Sequence, residues 1–79
     1  MKYLYFTMKS CGPCKTLAPI MAQVGHAIQV QKIDADTQPA LVSQYSVRSV
    51  PTVILVNGSA EVTRFVGIQS KETYMNAAR

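Results

Sequence analysis

The sequence predicts an α/β domain in which a mixed four-stranded sheet carries helices on both faces. Short apolar runs of strand type alternate with segments of helical periodicity, in the order βαβαββα. The first βαβ unit requires two parallel strands joined by a crossover helix. An Asn-Gly pair at 57–58 indicates a tight turn between two antiparallel strands near the end. With 79 residues, 48% of them hydrophobic, the chain suffices for one domain over 1–79 with one small core.

The first half of the chain is predicted to form a strand, a helix and a second strand. Residues 2–7 are aromatic and aliphatic, as in a buried strand. Residues 12–24 have helical periodicity, with Pro13 suited to the first turn and Gly25 to the end. Residues 28–33 form the second strand, which a polar Asp-Ala-Asp-Thr segment ends. One apolar face of the helix consists of Leu17, Ile20, Met21 and Val24.

The second half is predicted to form a short helix, a hairpin and a last helix. The short helix covers about 38–45. A strongly apolar strand follows at 50–56, and residues 60–66 alternate as its hairpin partner. Ser70 is a good N-cap for a final helix over 71–78.

Charge and hydropathy exclude several classes of function. The net charge is +4, but the basic residues are scattered, whereas nucleic-acid-binding proteins usually cluster them. No segment is long and apolar enough to cross a membrane. The first residues do not resemble a signal peptide, because the apolar run is short and no small-residue cleavage site follows. We therefore expect a cytoplasmic monomer that binds neither nucleic acid nor membrane.

The only two cysteines form the motif Cys11-Gly12-Pro13-Cys14 where the first helix is predicted to begin. A strand that delivers Cys-x-x-Cys to a helix start is the arrangement that thiol–disulfide exchange needs. The helix dipole and free N–H groups favour a thiolate at Cys11, so Cys11 is predicted to attack a substrate disulfide. Cys14, one turn further and more buried, is predicted to resolve the mixed disulfide.

Other uses of a Cys-x-x-Cys motif fit this chain less well. A disulfide spanning four residues constrains the unfolded chain little, so it is a weak structural staple. A structural zinc site needs four ligands, and the only histidine, His26, lies well beyond the helix start. Haem attachment needs histidine after the second cysteine, where Lys15 stands. We expect no metal and no cofactor beyond the redox-active disulfide.

Several ordered motifs together resemble the thioredoxin family. Besides the cysteine motif, they are Ala18-Pro19-Ile20, Val50-Pro51-Thr52, Asn57-Gly58 and Val66-Gly67. The resemblance covers nearly the whole chain but lacks the family's first strand and helix. It implies a thioredoxin-like fold of glutaredoxin size and a thiol–disulfide oxidoreductase that reduces protein disulfides.

The resemblance also implies where substrate binds. Composition alone favours an ordinary trans proline at the start of a strand for Pro51. The family resemblance instead implies a cis Val50–Pro51 bond opposite the disulfide, which exposes the Val50 backbone to a substrate strand. Gly67 matches the glycine that lines the family's substrate groove.

The chain departs from the family pattern beside the cysteines. Ser10 stands where the family usually has tryptophan, and Tyr5 stands where it has a buried aspartate. The family's neighbouring lysine matches Lys32. Without its acidic partner, this lysine is expected to act as a simple electrostatic support for the thiolate, together with the flanking Lys9 and Lys15.

The resemblance implies partners and leaves alternatives open. The implied partners are disulfide-containing proteins and a reductant of the thioredoxin reductase type. One alternative is a glutaredoxin-like redoxin that serves ribonucleotide reductase, although Gly-Pro between the cysteines and Val66-Gly67-Ile68-Gln69 do not match a glutathione site. The other is a non-catalytic thioredoxin-fold binding module, against which the intact cysteines argue.

Overall fold

The computed structural model describes residues 1–79 and has the predicted order of elements. The strands are β1 (Lys2–Thr7), β2 (Gln29–Asp34), β3 (Thr52–Asn57) and β4 (Ala60–Val66). The helices are α1 (Gly12–Val24), α2 (Pro39–Gln44) and α3 (Lys71–Ala77). None of the three helices has the length and apolar character that crossing a membrane requires.

The four strands form one mixed sheet in the order β2-β1-β3-β4. Strand β1 runs parallel to β2 and antiparallel to β3, and β3 runs antiparallel to β4. This arrangement confirms the predicted mixed sheet. The register places Tyr5 opposite Lys32 on one side and Val53 on the other, which fixes what lies beside the cysteines.

Helices cover both faces of the sheet, as predicted. Alternate residues of a strand point to opposite faces, so β1 contributes to two separate cores. The core under α1 and α3 contains Tyr3, Tyr5, Leu17, Met21, Val24, Val53, Leu55 and Tyr74. The core under α2 contains Leu4, Phe6, Ile33, Ile54 and Val56, with Leu41, Val42 and Tyr45 packed against it.

Element ends differ from the predictions by one or two residues. Strand β2 begins one residue later than predicted, because the Ile28 N–H donates to the Val24 carbonyl at 2.9 Å and ties Ile28 to the end of α1. Strand β3 begins at Thr52, so Val50 and Pro51 form a loop ahead of it. Helices α2 and α3 are slightly shorter than predicted because Tyr45 and Ala78 are their C-cap residues.

The predicted turns and caps are confirmed. The Ser70 side-chain oxygen accepts the Thr73 N–H at 3.2 Å, which caps α3. Gly58 follows β3 with φ +63°, a conformation that glycine adopts without steric cost. Gly25 is the C-cap of α1, but its φ of −62° is ordinary helical backbone, so this helix ends without a left-handed residue.

Candidate active site

The two cysteines lie at the amino end of α1 and form a disulfide with 5.2 Å between their Cα atoms. Cys11 is the N-cap residue with extended backbone (φ −86°, ψ 113°). Its Sγ accepts the Cys14 N–H at 3.1 Å, so the sulfur occupies the place of the usual Ser or Asp oxygen. Cys11 is partly exposed, whereas only 2% of Cys14 is exposed. Cys14 is thus the more buried of the two cysteines, as predicted.

The start of α1 is an electropositive environment for the Cys11 sulfur. No acidic residue lies in the first turn of the helix, so no carboxylate competes for its free N–H groups. Pro13 in that turn lacks an N–H, which would have no helical partner there. When the disulfide is reduced, the same N–H groups and the helix dipole favour a negative charge on Cys11.

Two loops approach the cysteines from the other end of the chain. The Val50–Pro51 peptide bond is cis, and the Val50 carbonyl oxygen lies 3.7 Å from the Cys11 Sγ. Gly67, at φ +88°, donates its N–H to the Pro51 carbonyl at 2.9 Å. The structure therefore brings Cys11, Val50, Pro51 and Gly67 together, although up to 56 positions separate them in the numbering of the sequence.

Side chains that sequence reasoning missed hold these loops in place. The Thr52 hydroxyl donates to the Ser49 carbonyl at 2.7 Å and closes the loop that contains Pro51. The Gln69 N–H donates to the Tyr74 hydroxyl at 3.1 Å and anchors the segment after Gly67. Burial is the main cause that raises the pKa of Tyr74, so this hydroxyl stays protonated. In the sequence, the only feature that pointed to the Thr52–Ser49 hydrogen bond was a threonine directly after Pro51.

Tyr5 lies directly behind the second cysteine. Only 3% of Tyr5 is exposed, and its hydroxyl donates to the Cys14 carbonyl oxygen at 3.0 Å. Residue 5 therefore faces α1 and the cysteines, as its place in the sequence suggested. The acceptor is a backbone oxygen, so this hydrogen bond fixes the first turn of α1 and does not involve a sulfur atom.

Lysine side chains surround the same region. Lys32, which pairs with Tyr5 across β1 and β2, is exposed and lines a recess beside Cys14 together with Lys9 and Lys15. His26 is exposed in the turn beyond the other end of α1 and does not reach the cysteines. No group of three or more His, Cys, Asp or Glu side chains that could hold a metal ion is present.

Comparisons with known proteins agree with this geometry. The family model "Thioredoxin" matches residues 3–79. The thioredoxin-like protein slr0233 of Synechocystis is 46% identical over 75% of this chain and 60% of its own length. Thioredoxin of Chlamydia trachomatis is 40% identical over 86% of this chain and 70% of its own length. The chain thus spans between about three fifths and seven tenths of these curated relatives.

Solved structures extend the comparison to the whole chain. Thioredoxin 1 of Thermosipho africanus superposes with a TM-score of 0.86 at 30% identity, covering 99% of this chain and 90% of that one. A mutant thioredoxin of Halobacterium salinarum gives a TM-score of 0.87 at 34% identity, covering 94% of this chain and 67% of that one. The similarity in fold therefore includes both loops that approach the cysteines.

Proposed function

This chain belongs to the thioredoxin family, and on that basis we propose that it is a thiol–disulfide oxidoreductase that reduces disulfides in other proteins. The observation that carries the proposal is the partly exposed Cys11 sulfur at the N-cap of α1, bonded to the buried Cys14. The site works as a monomer and in a reducing compartment such as the cytoplasm, where a Cys-x-x-Cys pair is more often catalytic than structural.

In the first step the Cys11 thiolate attacks one sulfur of a substrate disulfide. A bond forms between the Cys11 Sγ and that sulfur, the substrate disulfide breaks, and its other sulfur leaves as a thiolate that takes a proton from solvent. The Cys14 N–H, 3.1 Å from the Cys11 sulfur, supports the nucleophile in its charged form. Partial exposure of Cys11 supports its choice as the attacking thiol.

In the second step Cys14 attacks the Cys11 sulfur. The Cys14 thiol gives its proton to solvent, its sulfur bonds to the Cys11 sulfur, and the mixed disulfide breaks. The substrate sulfur leaves as a thiolate that takes a proton from solvent, so both substrate sulfurs end up reduced. The Cα–Cα distance of 5.2 Å between the two cysteines lies within the usual range for a disulfide, so the second step needs no large movement of α1. Burial of Cys14 supports its role as the resolving thiol, because an external disulfide cannot reach it.

We place the substrate chain along the loop at Pro51. The Val50 backbone is close to Cys11, and an extended segment that pairs with it would bring its own cysteine to the Cys11 sulfur. We propose that Gly67, which has no side chain, lies on the other side of the bound substrate segment. Its N–H bond to Pro51 supports a joint role for the two loops.

The reductant is proposed to be an enzyme of the thioredoxin reductase type. A relative in Mycobacterium leprae, 38% identical over 77% of this chain, is a bifunctional thioredoxin reductase/thioredoxin, and this chain covers 14% of that protein. A role in supplying electrons to ribonucleotide reductase is a second candidate, since that use needs the same dithiol chemistry. Turnover with NADPH and a thioredoxin reductase, compared with turnover with glutathione and its reductase, identifies the electron source.

Mixed-disulfide trapping tests the roles of the two thiols. We expect Cys14→Ser to accumulate a covalent complex with a disulfide substrate such as insulin, because the first step proceeds and the second cannot. Cys11→Ser and the double variant should trap nothing. Equal trapping by the two single variants, or trapping by Cys11→Ser alone, would show that the roles are wrongly assigned. Loss of insulin reduction in both variants, beside an active parent, separates an enzyme from a binding module.

A further inference from the structure

A recess of about 150 Å³ opens beside the active-site disulfide. Three lysines line it from different elements: Lys9 after β1, Lys15 in α1 and Lys32 in β2. Cys14 and Tyr5 form part of its wall, and no acidic side chain lines it. The fold therefore gathers three positive charges at one edge of the site, although the sequence spreads them over 24 positions.

None of these three lysines forms an ion pair within the chain. The only ion pair in the structure joins Arg64 to Glu61 at 2.7 Å, on β4. Asp34 lines an adjoining recess with Lys9 and Lys32, but its Oδ1 accepts the Asp36 N–H at 2.9 Å and its carboxylate forms no ion pair with a lysine. A cluster of positive charges without ion-pair partners attracts anions, so it favours binding of an anion from outside the chain.

We propose that this recess binds a carboxylate side chain of the substrate protein, so that the chain prefers disulfides flanked by Asp or Glu. The inference rests on the proposed function and names the class of substrate that the site takes. The position of the recess argues for a substrate carboxylate, because Cys14 forms part of its wall and the substrate is joined to Cys11, the disulfide partner of Cys14. Once the mixed disulfide has formed, a nearby substrate carboxylate is held at high effective concentration beside the lysines. Even weak contacts with them then contribute to substrate preference.

The size of the effect follows from the exposure of the lysines. Each contact between a carboxylate and an exposed ammonium group contributes little, and salt screens it. Two or three such contacts together should favour an acidic over a neutral substrate by about three- to tenfold in kcat/KM. The preference should shrink as the ionic strength rises.

Matched disulfide peptides provide the test. One peptide has Glu on both sides of its cysteine, and the other has Gln at the same positions. The ratio of their kcat/KM values is the readout, because it cancels any general effect of the lysines on the thiols. We expect Lys9→Gln, Lys15→Gln and Lys32→Gln each to lower the ratio, and the triple variant to bring it close to one.

Lys2→Gln is the matched control. It removes the same charge, but Lys2 lies at the start of β1, about 17 Å along the strand from Thr7, after which Lys9 follows. The ratio should stay at the parent value in this variant. A decrease as large as in the recess variants would mean that net charge, and not the recess, sets the preference, and would overturn the inference.

The remaining outcomes separate the inference from the proposed function. If neither peptide is reduced, the proposed function fails. If both are reduced equally well by the parent, the function stands and the inference is wrong. If inorganic phosphate at constant ionic strength slows both peptides equally, the recess is a site for free anions and does not recognise substrate.

Discussion

Replacing Tyr5 with phenylalanine removes one hydroxyl and leaves a ring of nearly the same shape in the core. The hydroxyl donates to the Cys14 carbonyl at 3.0 Å, and the side chain is 3% exposed. A typical buried hydrogen bond contributes about 0.5–1.5 kcal/mol to the free energy of unfolding. A helical carbonyl also accepts an N–H from four residues later, so the oxygen keeps one partner in the variant. We therefore expect Tyr5→Phe to lower the free energy of unfolding by about 1 kcal/mol.

The measurement is urea-induced unfolding of the oxidised and the reduced protein. A loss of 1 kcal/mol corresponds to a fall in Tm of about 4–8 °C for a domain of this size. The acceptor is the backbone of α1, which both redox states contain, so the loss should be the same in both. Tyr3→Phe is the matched control, because the Tyr3 hydroxyl donates to the Tyr74 carbonyl at 2.6 Å in the same core, away from the cysteines.

Two results would refute this reasoning. The first is an unchanged free energy of unfolding in Tyr5→Phe together with a clear loss in Tyr3→Phe. It would mean that the Tyr5 hydrogen bond does not contribute to the stability of the fold. A loss confined to one redox state would mean that the tyrosine responds to the sulfurs directly. The second result would appear independently as a change in reduction potential, at about 30 mV per 1.4 kcal/mol.

Three further predictions concern the acid–base and redox properties of the site. Tyr5→Asp should destabilise the fold by about 3 kcal/mol or more, because it removes a buried ring and buries a charge. It should also move the midpoint of pH-dependent Cys11 alkylation to higher pH by like-charge repulsion; an unmoved midpoint would mean that residue 5 does not influence the thiolate. Reduction of the Cys11–Cys14 disulfide should leave the circular dichroism spectrum nearly unchanged and alter the free energy of unfolding by only a few kcal/mol, whereas complete unfolding would indicate a structural staple. Burial raises the pKa of Tyr3 from its ordinary value of 10.0 to about 12, so the unfolded chain loses this proton first and stability should fall between pH 10 and 12 by about 1.4 kcal/mol per pH unit. Alkaline unfolding of Tyr3→Phe should be less steep, and equal slopes would contradict the assignment.

The sequence by itself determined the local features of this protein. The aromatic run before the cysteines, the helical periodicity after them and the Asn-Gly turn are short-range patterns, and each was found where it was predicted. The placement of Cys11 at the helix start is likewise local, since three residues of helix fix where Cys14 lies relative to it. The cis bond before Pro51 was predicted only from the family resemblance, since composition alone favours the trans form.

Only the tertiary structure decided which distant residues meet at the cysteines. The Tyr5 hydroxyl reaches the Cys14 carbonyl because α1 packs on the face of the sheet that residue 5 points to, and helix packing cannot be read from periodicity. Lys9, Lys15 and Lys32 share one recess because the parallel register places Lys32 of β2 opposite Tyr5, near the end of β1 that leads to the cysteines. Such contacts depend on strand order and register, which arise from the packing of the whole chain and have no signature in any single segment.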